Sequence, residues 1–429
     1  MELQFSAPFD PDLSSQYLLD AVPSQPAVFA LFPRPANGPS LPYLGRTRDL
    51  RRRLARLLSK PQTDSRMLNL REITCRIDYQ CVGSSFEAQW LLYLLNRDHY
   101  PAQYRERLRL KPPALLKLKL KNRFPRCYPT RRLSNDGSLY YGPFPSQLAA
   151  ERFAAEFLDF FKVRRCVEDL DPHPSHPGCI YFQLHMCLAP CFVGCTDAEY
   201  QEEVRRVAEF LDAQGQPLLR SLEVERAQAS QALEFEQAAK IHRRIEKVND
   251  ILRQKPELVR NLRDLHAVVV QRGAETKSVA FFRVCAGELR GPVTLTLDEN
   301  VPSPVPLDKQ LHQLLSALAA AARDGPPSPS TPGSQPGSAV RAENHGLPSG
   351  SPSKLSASAN HGESACVGSL LPRRAASLSS PPLWEHLSLL ARWYYSSFRE
   401  GELVMLNPDQ AIPHTRLIRI CRKLLSAGQ

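Results

Sequence analysis

Four cysteines crowded into 26 residues constrain this chain more than any other feature. Cys166, Cys179, Cys187 and Cys191 follow the pattern C-x12-C-x7-C-x3-C, and Cys195 stands four residues further on. A segment this short has little apolar core of its own, and soft thiolates close it most readily round one metal centre. Buried structural cysteines and, in an oxidising compartment, disulfides are the other readings. The first ten residues are acidic and mixed, without the basic-then-apolar pattern of a signal peptide, and no run of about 18 apolar residues follows. A cytoplasmic protein with no membrane partner is therefore expected, and in that compartment metal is favoured over disulfides. Structural zinc uses paired C-x2–4-C knuckles, a spacing that only Cys187 and Cys191 offer, with Cys195 beyond. Irregular spacing suits an iron–sulfur cluster as well. Both metals stay open on spacing alone, with His185 a weaker candidate ligand.

The chain carries a net charge of +11 and an isoelectric point near 9.2. That balance points to a polyanion, with nucleic acid ahead of an anionic membrane. Distribution supports it. Arg46, Arg48, Arg51, Arg52, Arg53, Arg56 and Lys60 form one run with Asp49 as its sole acid. A second run between Arg105 and Arg132 includes Lys117, Lys119, Lys121, Arg123, Arg126, Arg131 and Arg132 against the single acid Glu106, with Tyr104, Phe124, Tyr128, Tyr140 and Tyr141 interleaved or adjacent. Phosphate neutralisation beside stacking rings is the usual physics of a nucleic-acid groove. Leu116 to Lys121 alternates Leu and Lys, which reads as an edge strand with one basic face.

Length and pattern predict an α+β chain of several parts. Residues 20–105 read as a small α/β domain, 106–196 as the basic connector and cysteine module, and 197–255 as helical. Residues 256–323 read as a short β-rich segment, 324–382 as a disordered linker, and 383–429 as a short helical end. The linker is dominated by Ser, Pro, Gly and Ala, too poor in apolar surface to offset its chain entropy.

Four strings then stand in register: Phe124-Pro-Arg, Tyr140-Tyr-Gly-Pro-Phe-Pro145, Cys187-Leu-Ala-Pro-Cys191 and Ala232-Leu-Glu-Phe-Glu-Gln-Ala-Ala239. Their order and spacing resemble the UvrC family of bacterial excision-repair nucleases. The resemblance runs from about residue 25 to 253, and more faintly to 297 and again from 383. It implies a 4Fe–4S cluster held by the four cysteines, which favours iron–sulfur over zinc. It also implies that the helical Uvr motif pairs with a similar segment of UvrB. Phe235, Ala238, Ile241 or His242, Ile245, Val248 and Leu252 recur at three- and four-residue steps, an apolar stripe fit for another helix, and Leu233 stands just ahead of it.

The N-terminal part resembles a GIY-YIG nuclease domain, whose site needs a phenol, a metal-holding carboxylate and an arginine. The first family tyrosine falls on Phe29, which has no hydroxyl. The second is kept as Tyr43, the arginine as Arg53, and a further tyrosine aligns with Leu57. The metal-binding glutamate falls on Leu92 and the family asparagine on Tyr104. Glu87 is no substitute: five residues along a helix turn about 500°, so it points roughly 140° away from Leu92. No bound Mg²⁺ is expected at this site. Full-length relatives also carry a ribonuclease-H-like nuclease and a helix–hairpin–helix module. Trp393-Tyr-Tyr395 and Ala411-Ile-Pro413 resemble the lead-in to that nuclease, but after residue 400 the only acids are Glu402 and Asp409. The second nuclease is therefore not expected here. The reading is a DNA-binding excision-repair protein with a UvrB-like partner and no incision of its own. Its rivals are a residual endonuclease working through Tyr43 and Arg53, and an iron–sulfur redox sensor that binds DNA.

Overall fold

The structure is a computed structural model that describes residues 2–11, 20–34, 41–59, 68–296, 306–320, 382–407, 409 and 411–426. Lys60 and all but the last residue of the expected linker lie outside these. The described residues form an α+β chain built on three four-stranded sheets.

The first sheet has the order β1-β4-β2-β3, from β1 (Phe5–Pro8), β2 (Ala27–Pro33), β3 (Tyr43–Thr47) and β4 (Thr74–Cys81). Helix α1 (Leu50–Leu58) buries Leu50, Leu54, Leu57 and Leu58 against it and turns its arginines outward. Asp49 caps this helix, its carboxylate accepting from the Arg52 N–H at 2.9 Å. Helix α2 (Ser85–His99) covers the other face, capped by Ser84.

The second sheet has the order β6-β5-β7-β8, from β5 (Ala114–Leu118), β6 (Cys127–Thr130), β7 (Leu139–Phe144) and β8 (Arg260–Asn261). Four helices pack on it: α3 (Gln147–Leu158), α4 (Asp197–Asp212), α5 (Gln216–Gln231) and α6 (Phe235–Gln254). Helix α4 starts at a reciprocal capping box: Thr196 accepts from the Glu199 N–H, and the Glu199 carboxylate accepts from the Thr196 N–H. Aromatic rings fill the centre. Phe157 stacks on Phe210 with centroids 5.7 Å apart and touches Phe153 and Phe161. Such pairs add about 1 kcal/mol each beyond the area they bury.

The third sheet has the order β11-β10-β9-β12, from β9 (Ala267–Arg272), β10 (Ser278–Cys285), β11 (Glu288–Thr296) and β12 (Glu402–Met405). Sequence reading found its first three strands and missed the fourth. Glu402–Met405 is only four residues long, yet it pairs antiparallel with β9, Leu403 against Val269. The end of the chain is therefore not only helical, and 256–296 and 402–405 form one sheet. Helices α7 (Leu307–Ala320) and α9 (His414–Ser426) lie on one face of it, and α8 (Leu383–Tyr394) on the other. Helix α8 also meets α2: Phe86, Trp90, Tyr93 and Tyr104 share a core with Leu387 and Trp393. Among the described residues no helix is long and apolar enough to cross a membrane.

Candidate functional site

The nuclease-like site keeps one of its pairs. Tyr43 on β3 and Arg53 on α1 meet, the Arg53 Nη2 donating to the Tyr43 hydroxyl at 3.2 Å. Behind them Phe29 is wholly buried, its ring 6.2 Å from that of Tyr43. Phe29 pairs across the sheet with Gly45, where an added Cβ would come within 2.6 Å of the Phe29 ring. Glycine is needed there so that the ring can lie flat over the strand. Leu57 belongs to the core beneath α1, and Leu92 packs half-buried against the core that holds Val28, Ala30, Leu91 and Leu95. Tyr104 donates to the buried Glu385 at 2.8 Å. Its hydroxyl serves packing against α8.

Glu87 is committed to the start of α2, where its Oε2 accepts from the Gly83 N–H at 2.9 Å. Burial pushes this carboxyl up to about 7, against the lowering effect of that N–H. The folded pKa thus lies above the unfolded one near 4.5. The native state keeps the proton while the unfolded chain releases it, so stability falls as pH rises from about 4.5 to 7. Glu87→Gln is expected to flatten that slope and to exceed the native chain in stability at pH 8 by roughly 2–3 kcal/mol. Parallel pH–stability curves for the two proteins would contradict it.

The first basic run lies on an open face. Arg46, Arg48, Arg51, Arg52 and Arg56 are exposed at the end of β3 and along the outer side of α1, although Arg51 is anchored by donating to the Val22 carbonyl at 2.8 Å. The second run is only partly as the sequence implied. Strand β5 is not an edge strand: it pairs with β6 on one side and β7 on the other. Both of its faces are covered, Leu115 by one core and Leu116 and Leu118 by another. Lys117 is consequently buried and ion-paired with Asp136 at 2.5 Å, and Arg123 is held by both oxygens of Asp197 at 2.8 and 3.0 Å. These two cations stabilise the fold. Lys121, Arg131 and Arg132 are exposed, Lys119 is half-buried, and Arg126 lies 4.3 Å over the Tyr128 ring.

The apolar stripe of α6 is corrected in the same way. Ile241, Ile245 and Val248 are buried in the chain's own core against the helices around them. Ala238 is half-buried on its rim. Only Leu233 and Phe235, 71% and 66% exposed at the turn between α5 and α6, stay open. Periodicity finds an apolar face but cannot say whose core it enters.

The cysteines occupy irregular chain between α3 and α4. Cys187 and Cys191 are buried, Cys166 and Cys179 half-buried, and all are free thiols. Left-handed Ala189 (φ 57°) and Val193 (φ 62°) fold Leu-Ala-Pro-Cys into a tight turn, in which the Ala189 N–H points at the Cys187 sulfur at 3.3 Å. Burial pushes the Cys187 thiol up to about 11, and Cys179, Cys166 and Cys191 add to the rise. Burial also raises Cys191, followed by Cys179. Among the described residues no three metal-capable side chains gather closely enough to ligate one ion. A second feature went unread in the sequence. Arg164 is almost fully buried (2% exposed) and donates to the carbonyls of Phe124 and Glu168 and, at 3.6 Å, to the Cys166 sulfur. A buried guanidinium needs its N–H groups taken up, and here two carbonyls and the Cys166 sulfur accept from it.

Sequence comparison agrees with this architecture. Residues 115–210, which hold the second basic run, the aromatic core and all four cysteines, match the family described as UvrC/Cho excinuclease, middle domain. This region is a domain of the UvrC/Cho type. The chain is 34% identical over 173 residues to the UvrABC system protein C of Carboxydothermus hydrogenoformans, covering 40% of this chain and 28% of the relative. It is 29% identical over 296 residues to the protein of the same name from Proteus mirabilis, covering 66% and 47%. Over these stretches the chain is similar to the UvrC family. It spans less than half the length of the curated relatives it matches. No solved structure matches it.

Proposed function

We propose that this chain is a nucleotide-excision-repair protein of the UvrC family that binds DNA and a UvrB-like partner, and that its GIY-YIG-like site does not cut. The observation that carries this reading is the fate of the family's metal-site positions. Leu92 packs half-buried against the core that holds Val28, Ala30, Leu91 and Leu95, and Tyr104 is bonded to Glu385. Tyr43 and Arg53 supply a phenol and a cation, and neither Leu92 nor Tyr104 brings a carboxylate to place a divalent metal at the scissile phosphate.

DNA is held by exposed cations on two surfaces, Arg46, Arg48, Arg52 and Arg56 on one and Lys121, Arg131 and Arg132 on the other. The cysteine centre holds a 4Fe–4S cluster through Cys166, Cys179, Cys187 and Cys191. Its support is the donor chemistry: four free thiols in one short irregular segment, an N–H aimed at the Cys187 sulfur, and a buried arginine donating to the Cys166 sulfur. A polynuclear cluster bridges thiolates that stand further apart than those on a single zinc ion. Bound there, the cluster would tie the 166–195 segment together.

Partner binding is assigned to the tip of the α5–α6 hairpin. Leu233→Asp with Phe235→Asp is expected to weaken capture of a UvrB-like helical partner at least tenfold, since two exposed apolar anchors are lost. DNA affinity and thermal stability should stay within error of the native chain. Undiminished capture by the double variant would remove the hairpin tip from the interface.

A further inference from the structure

Helix α8, which follows the segment outside the described residues, brings a cation to the middle domain that no sequence motif marks. Arg392 reaches across to the chain ahead of β5, donating to the carbonyls of Leu108 at 3.3 Å and Arg109 at 2.8 Å. Between α8 and this chain lies an open cleft of about 370 Å³. Its charged lining consists of Arg109, Lys111, Arg131 and Arg392, with no carboxylate among the residues that line it. Arg131 is set in place by donating to the Pro112 carbonyl at 2.9 Å. Ser146, the N-cap of the 12-residue helix α3, also borders the cleft and turns the positive end of that helix toward it.

Like charges do not gather in a shared cleft for the sake of the fold, since each raises the cost of the next. Here four cations and a helix N-terminus converge with nothing negative to balance them. The geometry points to a phosphate-binding cleft built by Arg109, Lys111, Arg131 and Arg392, its ligand a phosphodiester of the nucleic-acid backbone. A second cavity of about 630 Å³ continues it, sharing Pro112 and Arg131 and adding Lys117, Arg132, Tyr128 and Trp384. A backbone passing from one cavity to the other would meet rings as well as cations, the usual make-up of a groove that tracks a strand. Because α8 supplies one wall, the cleft forms only when that helix is docked, which links DNA binding to a segment far along the chain. The inference rests on the DNA-binding reading above.

The test uses the full chain and a fluorescent duplex of about 20 base pairs, with affinity followed against salt. Lys111→Gln with Arg131→Gln removes two exposed cations, and Arg392→Lys keeps charge while losing the fork that grips the two carbonyls. The double variant is expected to bind at least tenfold more weakly and to lose about 1.8 from the slope of log K against log salt, near 0.9 per phosphate contact. Acylation of Lys111 by an amine reagent, with duplex or with inorganic tripolyphosphate present, reads the cleft separately. Native chain that binds duplex while the double variant matches it in affinity and slope would overturn the cleft and leave DNA binding standing. Native chain that does not bind duplex, with Lys111 protected only by tripolyphosphate, would overturn nucleic acid as the ligand. Protection by neither would overturn the cleft outright.

Discussion

On the proposed cluster assignment, the native protein purified without oxygen is expected to carry iron, acid-labile sulfide and visible absorption, and Cys187→Ser is expected to lack all three. It should also open the 166–195 segment to proteolysis. The effect is large because the segment has few other means of holding its shape. Between α3 and α4 the chain has only a single helical turn, Ile180–Gln183, and a short 3-10 turn, Pro190–Phe192. Ile180, Phe182, Leu184 and Val193 are exposed there. Metal binding to such modules contributes on the order of 10 kcal/mol of folding free energy. Cys191→Ser should behave alike, and Cys195→Ser should keep the cluster, since Cys195 lies outside the four. Arg164→Met is expected to weaken retention of the cluster, because the buried cation facing Cys166 is removed. Full iron content in Cys187→Ser would dismiss the ligand set. Stoichiometric zinc in the native protein would keep the set and change the metal.

The second large effect is placed at Glu385. Its side chain is fully buried and accepts from the hydroxyls of Tyr93 and Tyr104, both at 2.8 Å, and from the Arg105 Nε at 2.7 Å. Burial and this carboxylate both hold the two phenols above their ordinary range, so they stay protonated donors throughout the accessible pH. Glu385→Ala orphans both hydroxyls and one guanidinium N–H, with a cost of about 4 kcal/mol. Glu385→Gln retains an acceptor and should cost about half as much. The bonds join α2 and the chain just after it to α8, 280 to 292 residues away in sequence. Loss should therefore appear as a lower Tm for the whole unit, with early exposure of Trp393. A Tm unchanged in Glu385→Ala would show that α8 docks without this network.

How much of this was legible depended on whether the cause was local. Apolar runs such as Ala267–Gln271 and Ser278–Cys285 are strands because each is a continuous block of β-formers, and a block is visible in one dimension. Asp49, Ser84 and Thr196 stand where caps belong, and each accepts from an N–H of its helix. Tyr43 and Arg53 were paired by their spacing, and the structure brings them to hydrogen-bonding distance. What failed depended on tertiary partners. The alternating Leu116–Lys121 pattern fits a half-exposed strand, but β5 is covered on both faces and Asp136 takes up Lys117. The α6 stripe satisfied every rule for a partner helix while Ile241, Ile245 and Val248 faced the chain's own core. Glu385, Arg164 and Arg392 had no signal, because each acts on residues brought near only by folding.

The central claim is that a UvrC-family chain binds DNA without cutting it at its GIY-YIG-like site. The most direct measurement is nicking of ultraviolet-damaged supercoiled plasmid by anaerobically purified protein, with and without UvrB, in Mg²⁺ and in Mn²⁺. The account predicts retained binding and no conversion to open circles under any of these conditions. Nicking that disappears in Arg53→Ala would contradict it, and would mean that a metal reaches Tyr43 and Arg53 through ligands other than Leu92 and Tyr104.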